Sequence, residues 1–149
     1  MSIDKKINLK LIGKNKEDLK VISAYLQDSI VIVKDIVFLK RNKYFVMMLN
    51  RFMWEDAEKG VFRKNKRIRC ALKFEKVIEA KVKNINQKNK NRILECLAIK
   101  CNLLKNENNE IKIFFAGEGI ITLIVESIDL MLNDLGEPWN VKYAPIHKI

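Results

Sequence analysis

Between Ile30 and Asn50 the chain carries three apolar runs joined by links of two to four residues, and links that short permit only antiparallel neighbours. Ile30-Val31-Ile32-Val33 is β-branched throughout, Lys34-Asp35 reads as a two-residue turn, and Ile36-Val37-Phe38-Leu39 returns. Arg41-Asn42-Lys43 makes the next turn, into a third strand from Tyr44 to Asn50. A parallel pair would need a crossover of about a dozen residues. The segment therefore predicts an antiparallel meander, with Arg51 to Trp54 extending its last strand or bending at a corner.

The same grammar recurs downstream. Cys70, Leu72 and Phe74 alternate with Arg69, Lys73 and Glu75; Ile78, Ala80 and Val82 alternate with Glu79, Lys81 and Lys83. Lys76-Val77 interrupts that pair of runs as a turn or bulge would. Ile93 to Leu104 is nearly all apolar, which suits a central strand. Ile111 to Phe115 and Ile120 to Val125 flank Ala116-Gly117-Glu118-Gly119, a hairpin signal. Upstream, Asn8 to Ile12 suits a short strand. Asn15 can then cap a helix with Glu17 and Asp18 in its first turn and Leu19, Ile22, Tyr25 and Leu26 as its apolar stripe.

At the far end Ser127 is placed to cap a second helix. Ile128, Met131, Leu132 and Leu135 would form its stripe, Gly136 would sit just past its end, and Pro138 would prevent continuation. The expectation is an α+β fold of about seven to eight mostly antiparallel strands, forming a barrel or strongly bent sheet with an N-terminal and a C-terminal helix. Seven strands and a closing helix is the element order of a pleckstrin-homology-like barrel. No linker rich in Pro, Gly or Ser divides the chain, so residues 1–149 are expected to form a single domain.

With 48% hydrophobic residues the chain has ample material for a core without disulfides or metal. No window reaches the roughly 18 consecutive apolar residues of a membrane span, and Met1 to Lys6 lacks the apolar stretch of a signal peptide. Cys70, Cys96 and Cys101 are odd in number and fit neither a metal knuckle nor a disulfide framework. Buried thiols in a reducing, cytoplasmic setting are expected.

Catalytic machinery is sparse. The one histidine, His147, lies two residues from the end of the sequence, and there is no phosphate-binding loop, nucleophile elbow or dinucleotide fingerprint. Glu55, Asp56 and Glu58 cluster after Trp54, while Glu126 and Asp129 flank the start of the expected last helix. Either group could do acid–base work, but surface acids and helix-start acids need no such role. No metal and no cofactor are expected, and the balance leans away from an enzyme.

Charge is the sharper lead. The formal net charge is +11, and residues 59–92 hold 13 basic against 2 acidic side chains, so this one segment equals the whole excess. Arg63, Lys64, Lys66, Arg67, Arg69, Lys73, Lys81 and Lys83 lie on a loop and on the polar faces of the strands after it. Paired, those strands would present one positive field toward nucleic acid, an acidic protein or a phosphate-bearing ligand. A solvated lysine edge that blunts aggregation would produce the same excess, as would the Lys, Asn and Ile bias of an AT-rich genome. Phe52 and Trp54, set among charges, and Trp139 read as packing anchors or as an interface.

Several stretches together resemble a known family. They are Leu9-Lys10-Leu11-Ile12; Glu17-Asp18-Leu19 with Ile22-Ser23 and Leu26-Gln27-Asp28; Leu49-Asn50-Arg51-Phe52 with Trp54-Glu55; Arg67-Ile68-Arg69; and Asp134-Leu135-Gly136 with Pro138-Trp139. They resemble the small alphaproteobacterial family catalogued as domain of unknown function 2948. The likeness spans almost the whole chain, and Arg51, Arg67 and Arg69 are the arginines inside the quoted stretches. It implies a fold and an origin and supplies no activity, cofactor or site. The leading expectation is a non-enzymatic cytoplasmic binding or interaction domain. The alternatives are a small enzyme built on Arg51, Glu55 and Asp56 around a pocket, and a homo-oligomeric structural protein such as a homodimer.

Overall fold

The computed structural model describes residues 8–57 and 65–145. The elements run β1 (Lys10–Gly13), α1 (Lys16–Leu26), β2 (Ser29–Leu39), β3 (Tyr44–Phe52), α2 (Trp54–Ala57), β4 (Lys66–Phe74), β5 (Val77–Lys83), β6 (Ile93–Leu103), β7 (Asn109–Phe115), β8 (Ile120–Val125) and β9 (Leu130–Asn140). The nine strands form one sheet in the order β1-β9-β4-β3-β2-β6-β7-β8-β5, antiparallel at every pairing. The short links dictate the sequential pairs β2–β3, β6–β7 and β7–β8, whereas β3 and β4 pair across the longer link 53–65. The long-range pairs β1–β9, β4–β9, β2–β6 and β5–β8 were not legible locally.

Three expectations are corrected. The C-terminal helix is a strand: Leu130, Leu132 and Asp134 face inward from β9, which is inserted between β1 and β4. The fold is thus a sheet with one sizeable helix, rather than an α+β arrangement with a helix at each end. The sheet is also not closed, since it ends at β1 on one side and β5 on the other. That removes the barrel plugged by a terminal helix. Finally, Lys34-Asp35 is no turn. β2 runs through it, and five steps along β2 (Val31 to Ile36) face two along β3 (Leu49 to Met47). The excess residues bend the strand as a bulge does. Its first four residues pair with β6 on the other side.

The core lies on the inner face. Met47, Leu49, Leu72, Phe74, Ile111, Ile113, Leu123 and Leu132 have essentially no exposed surface. Each such side chain stabilises the fold by about 1.5–3 kcal/mol relative to exposure. From outside, α1 closes the core with Leu19, Ile22 and Leu26, all buried. Asn15 caps it by accepting from Asp18 N at 2.8 Å. A Cβ on Gly13 would stand 2.6 Å from Leu130 Cδ2 and 3.1 Å from Ile22 Cδ1, so only glycine lets β1 sit this close between β9 and the helix.

Candidate functional site

Arg51 occupies an inward position near the end of β3 and has no exposed surface. Its Nε donates to Asp134 Oδ1 at 2.8 Å and its Nη2 to Asp134 Oδ2 at 2.7 Å, a two-pronged pair reaching across β4 to β9. Nη1 and Nη2 donate to Glu55 Oε1 and Oε2 at 3.0 and 2.8 Å, and the guanidinium carbon lies 5.4 Å from the centre of the Tyr25 ring. Burial alone would lower the guanidinium's pKa. The hydrogen bonds that Arg51 donates to Asp134 and Glu55, with their charges, outweigh it and raise the pKa above its ordinary value. Four of the five donors are engaged, so this arginine is structural before it is anything else.

A tryptophan and a second arginine finish the end of α1. The helix has no basic residue in its last turn, and Asp28 just beyond it takes a left-handed φ of 63°. Trp54 Nε1 donates to Gln27 O at 2.9 Å and Arg67 Nη1 to Asp28 O at 3.1 Å. These donors, one of them a cation, satisfy carbonyls that the helix terminus leaves open. Phe52 meets Trp54 edge-on at 4.6 Å, and Arg67 lies 5.8 Å from the Phe52 ring centre. Burial pulls the Arg67 guanidinium below its ordinary value, against the opposing charges of Asp28 and Glu95. Arg69 bonds Asp35 Oδ2 at 3.1 Å and Asn50 Oδ1 at 3.3 Å.

The remaining residues singled out by sequence are scattered. Arg63 and Lys64 lie outside the described residues, as do Glu58, His147 and the Asp56 side chain. Lys66 lines a groove of about 580 Å³ over the Arg51 cluster, opposite Lys10. Lys73 sits 3.9 Å over the Tyr44 ring and 3.5 Å from Glu75; Lys81 lies 3.6 Å from Glu79. Trp139, 39% exposed, pairs with Arg67 across β4 and β9. Lys83 is on β5, and five strands intervene between β4 and β5 in the sheet order. The two strands therefore do not pair with each other, and their outward faces are not neighbours within the sheet.

Unneutralised cations gather instead at a place the sequence did not single out. Past Cys96, β6 parts from β2, and α1 lies alongside it, with Ser23 Oγ accepting from Ile99 N at 2.9 Å. A groove of about 590 Å³ runs there, ringed by Lys16, Lys20, Lys100 and Lys112 over a floor that includes Leu19, Ile99 and Phe114. Lys16 and Lys20 are one helical turn apart, and Lys100 stands directly across from Lys112 in the β6–β7 register. Both are like-charge pairs that cost stability when nothing intervenes. Lys112 has Glu110 at 3.8 Å; Lys16, Lys20 and Lys100 form no ion pair among the described residues. The helical spacing of Lys16 and Lys20 was visible in the sequence, but the second pair exists only once the β6–β7 register is known.

A family model described as protein of unknown function (DUF2948) matches residues 9–147. The chain belongs to this family. No curated protein and no solved structure matches it. In this DUF2948 protein the close of α1, the end of β3 with Trp54 and Glu55, the start of β4, and β9 from Asp134 to Trp139 meet at one end of the sheet. They meet there as the buried clasp and the helix cap, which makes them fold-determining.

Among the described residues of the DUF2948 chain the cysteines and the Glu126 and Asp129 carboxylates are all tied down. Burial pushes the Cys70 and Cys96 thiols up to about 12 and raises Cys101 as well, which leaves them protonated and poor nucleophiles. Glu126 bonds Lys43 at 2.6 Å. Asp129 lies between Lys14 at 2.8 Å and Lys76 at 3.4 Å; burial opposes its ionisation, but the two ammoniums hold its pKa below the ordinary value. Among the described residues no three His, Cys, Asp or Glu side chains come together as a metal site, and no helix is long and apolar enough to cross a membrane.

Proposed function

We propose that the protein is a non-catalytic binding domain that engages an anionic partner through the groove between α1 and the β6–β7 hairpin. One observation carries the reading. Arg51, Arg67 and Arg69 are held by carboxylates and backbone carbonyls, while three of the four lysines around this groove, Lys16, Lys20 and Lys100, form no ion pair among the described residues. Ammonium groups left in solvent beside an apolar floor form a positive field that draws anions and holds them more strongly as water is excluded. The chain's net charge of +11 adds a longer-range positive potential that speeds encounter.

The test is a titration of the intact protein with a labelled polyanion at low salt, repeated as salt rises. The expected result is saturable binding whose logarithmic affinity falls linearly with the logarithm of salt concentration. Replacing Lys16 and Lys20 by Gln should flatten that slope, whereas Lys88→Gln in the β5–β6 loop should leave it nearly unchanged. Absence of binding by every polyanion at about 20 mM salt would remove the proposal.

A further inference from the structure

We infer that the groove beside α1 takes a phosphate monoester with an apolar body, a narrower assignment that rests on the anion-binding reading above. Its lining divides into two chemistries. The walls are ammonium groups, Lys16 and Lys20 from the helix and Lys100 and Lys112 from the hairpin. The floor is hydrocarbon: Ala98 and Phe114 are partly exposed there, above Leu19 and Ile99, which are only 2% and 3% exposed. A ligand that satisfies both must carry concentrated negative charge at one end and apolar surface at the other.

The charge favours phosphate. Four lysines and no arginine line the groove among the described residues. Lysine is a compact point charge with no fixed fork geometry, so four of them are matched by density of negative charge, which a phosphate dianion supplies and a single carboxylate does not. The two like-charge pairs, one along α1 and one across β6 and β7, repel in the free protein. A dianion between them turns that repulsion into attraction, so the ligand gains from a cost the fold already carries.

The floor argues against a nucleic-acid strand. Strand-binding grooves provide successive aromatic platforms for bases. Here Phe114 is the one aromatic side chain among the lining residues, and the Lys100 ammonium already lies 5.9 Å from its ring centre. A space of about 590 Å³ matches a small ligand and is short for an extended strand.

The experiment is calorimetric titration of the intact protein with hexyl phosphate, inorganic phosphate and a ten-residue oligothymidylate. Hexyl phosphate should bind roughly tenfold tighter than inorganic phosphate, because only it covers the floor. The exposed-site double variant Lys20→Gln/Lys100→Gln should weaken it roughly tenfold or more with an unchanged circular dichroism spectrum. Ala98→Asp, on the groove floor, should do the same without removing a lysine. Equal affinity for hexyl and inorganic phosphate overturns the inference and leaves the anion-binding reading standing. Tighter binding of the oligothymidylate, with the same sensitivity to the lysine variants, assigns the groove to nucleic acid and also overturns it. No binding by any of the three overturns both.

Discussion

An arginine with no exposed surface persists in this core because two carboxylates reach it from opposite directions, Asp134 from β9 and Glu55 from the turn after β3. Removing one partner of such a pair leaves a buried charge uncompensated. Arg51→Met should therefore cost about 3–5 kcal/mol in urea unfolding, while Arg51→Met/Asp134→Leu should recover much of that loss. Losses that simply add would show that the two residues do not interact. The thiols give a second prediction. Cys70 and Cys96 lose their protons near 12 in the folded state, against an ordinary 9.0. The folded state thus keeps protons that the unfolded chain releases. The stability they contribute is whole below about pH 9 and is lost as pH rises toward 12. Urea midpoints should fall across that window, and Cys70→Ala/Cys96→Ala should shallow the fall. The burial of these thiols was legible from their apolar neighbours. The Arg51–Asp134 contact was not, since the partners stand 83 positions apart and each occupies what reads as a core position with the wrong chemistry.

That same pair explains the misread element. Residues 127–136 carry apolar side chains at helical spacing, but Leu130, Leu132 and Asp134 also alternate inward. A carboxylate in the third inward position hides the period of two unless its partner is known. The first helix, by contrast, was legible because its cap, first-turn acids and apolar stripe are all local. Its other end is finished from afar, by Trp54 and Arg67. Trp54→Phe keeps the packing against Phe52 but deletes the donor to Gln27 O, and should cost about 1 kcal/mol in chemical denaturation. A neutral result would show that water replaces the indole without loss. The corner between β8 and β9 depends on Asp129, whose pKa is lowered by Lys14 and Lys76 against the opposing effect of burial. Its contribution is present above the ordinary value of 3.8 and is lost as pH falls below it. Asp129→Asn should lower stability at neutral pH and make the acid limb of the unfolding profile less steep.

Across the whole molecule a formal charge of +11 opposes compaction. Screening should relieve this, so the melting temperature is expected to rise between about 10 and 150 mM sodium chloride, where the screening length falls to about 8 Å. Sulfate at equal ionic strength should raise it further if anions collect in the lysine groove. A flat response to both salts would show that the cations are too far apart to repel. Charge was legible as a total and as a segment, whereas its partners were not. Pairing with Asp35, Glu75 and Glu79 removes Arg69, Lys73 and Lys81 from the free cations, and the strand order separates β4 from β5. Adjacent hairpins follow from short links, but the order of a nine-stranded sheet is set by long-range contacts that no local window contains.

The insertion of β9 between β1 and β4 has a consequence during synthesis. Residues 10–13 emerge long before their partner in the sheet, the stretch 130–133. Until the ribosome has delivered that stretch, β4 shows an open flank from Lys66 to Phe74 that the finished fold covers. A messenger cut short before codon 130 would therefore yield chains with a bare, sticky margin. Chains of that kind are the sort that chaperones and proteases engage, and pairing of β9 with β4 closes the margin.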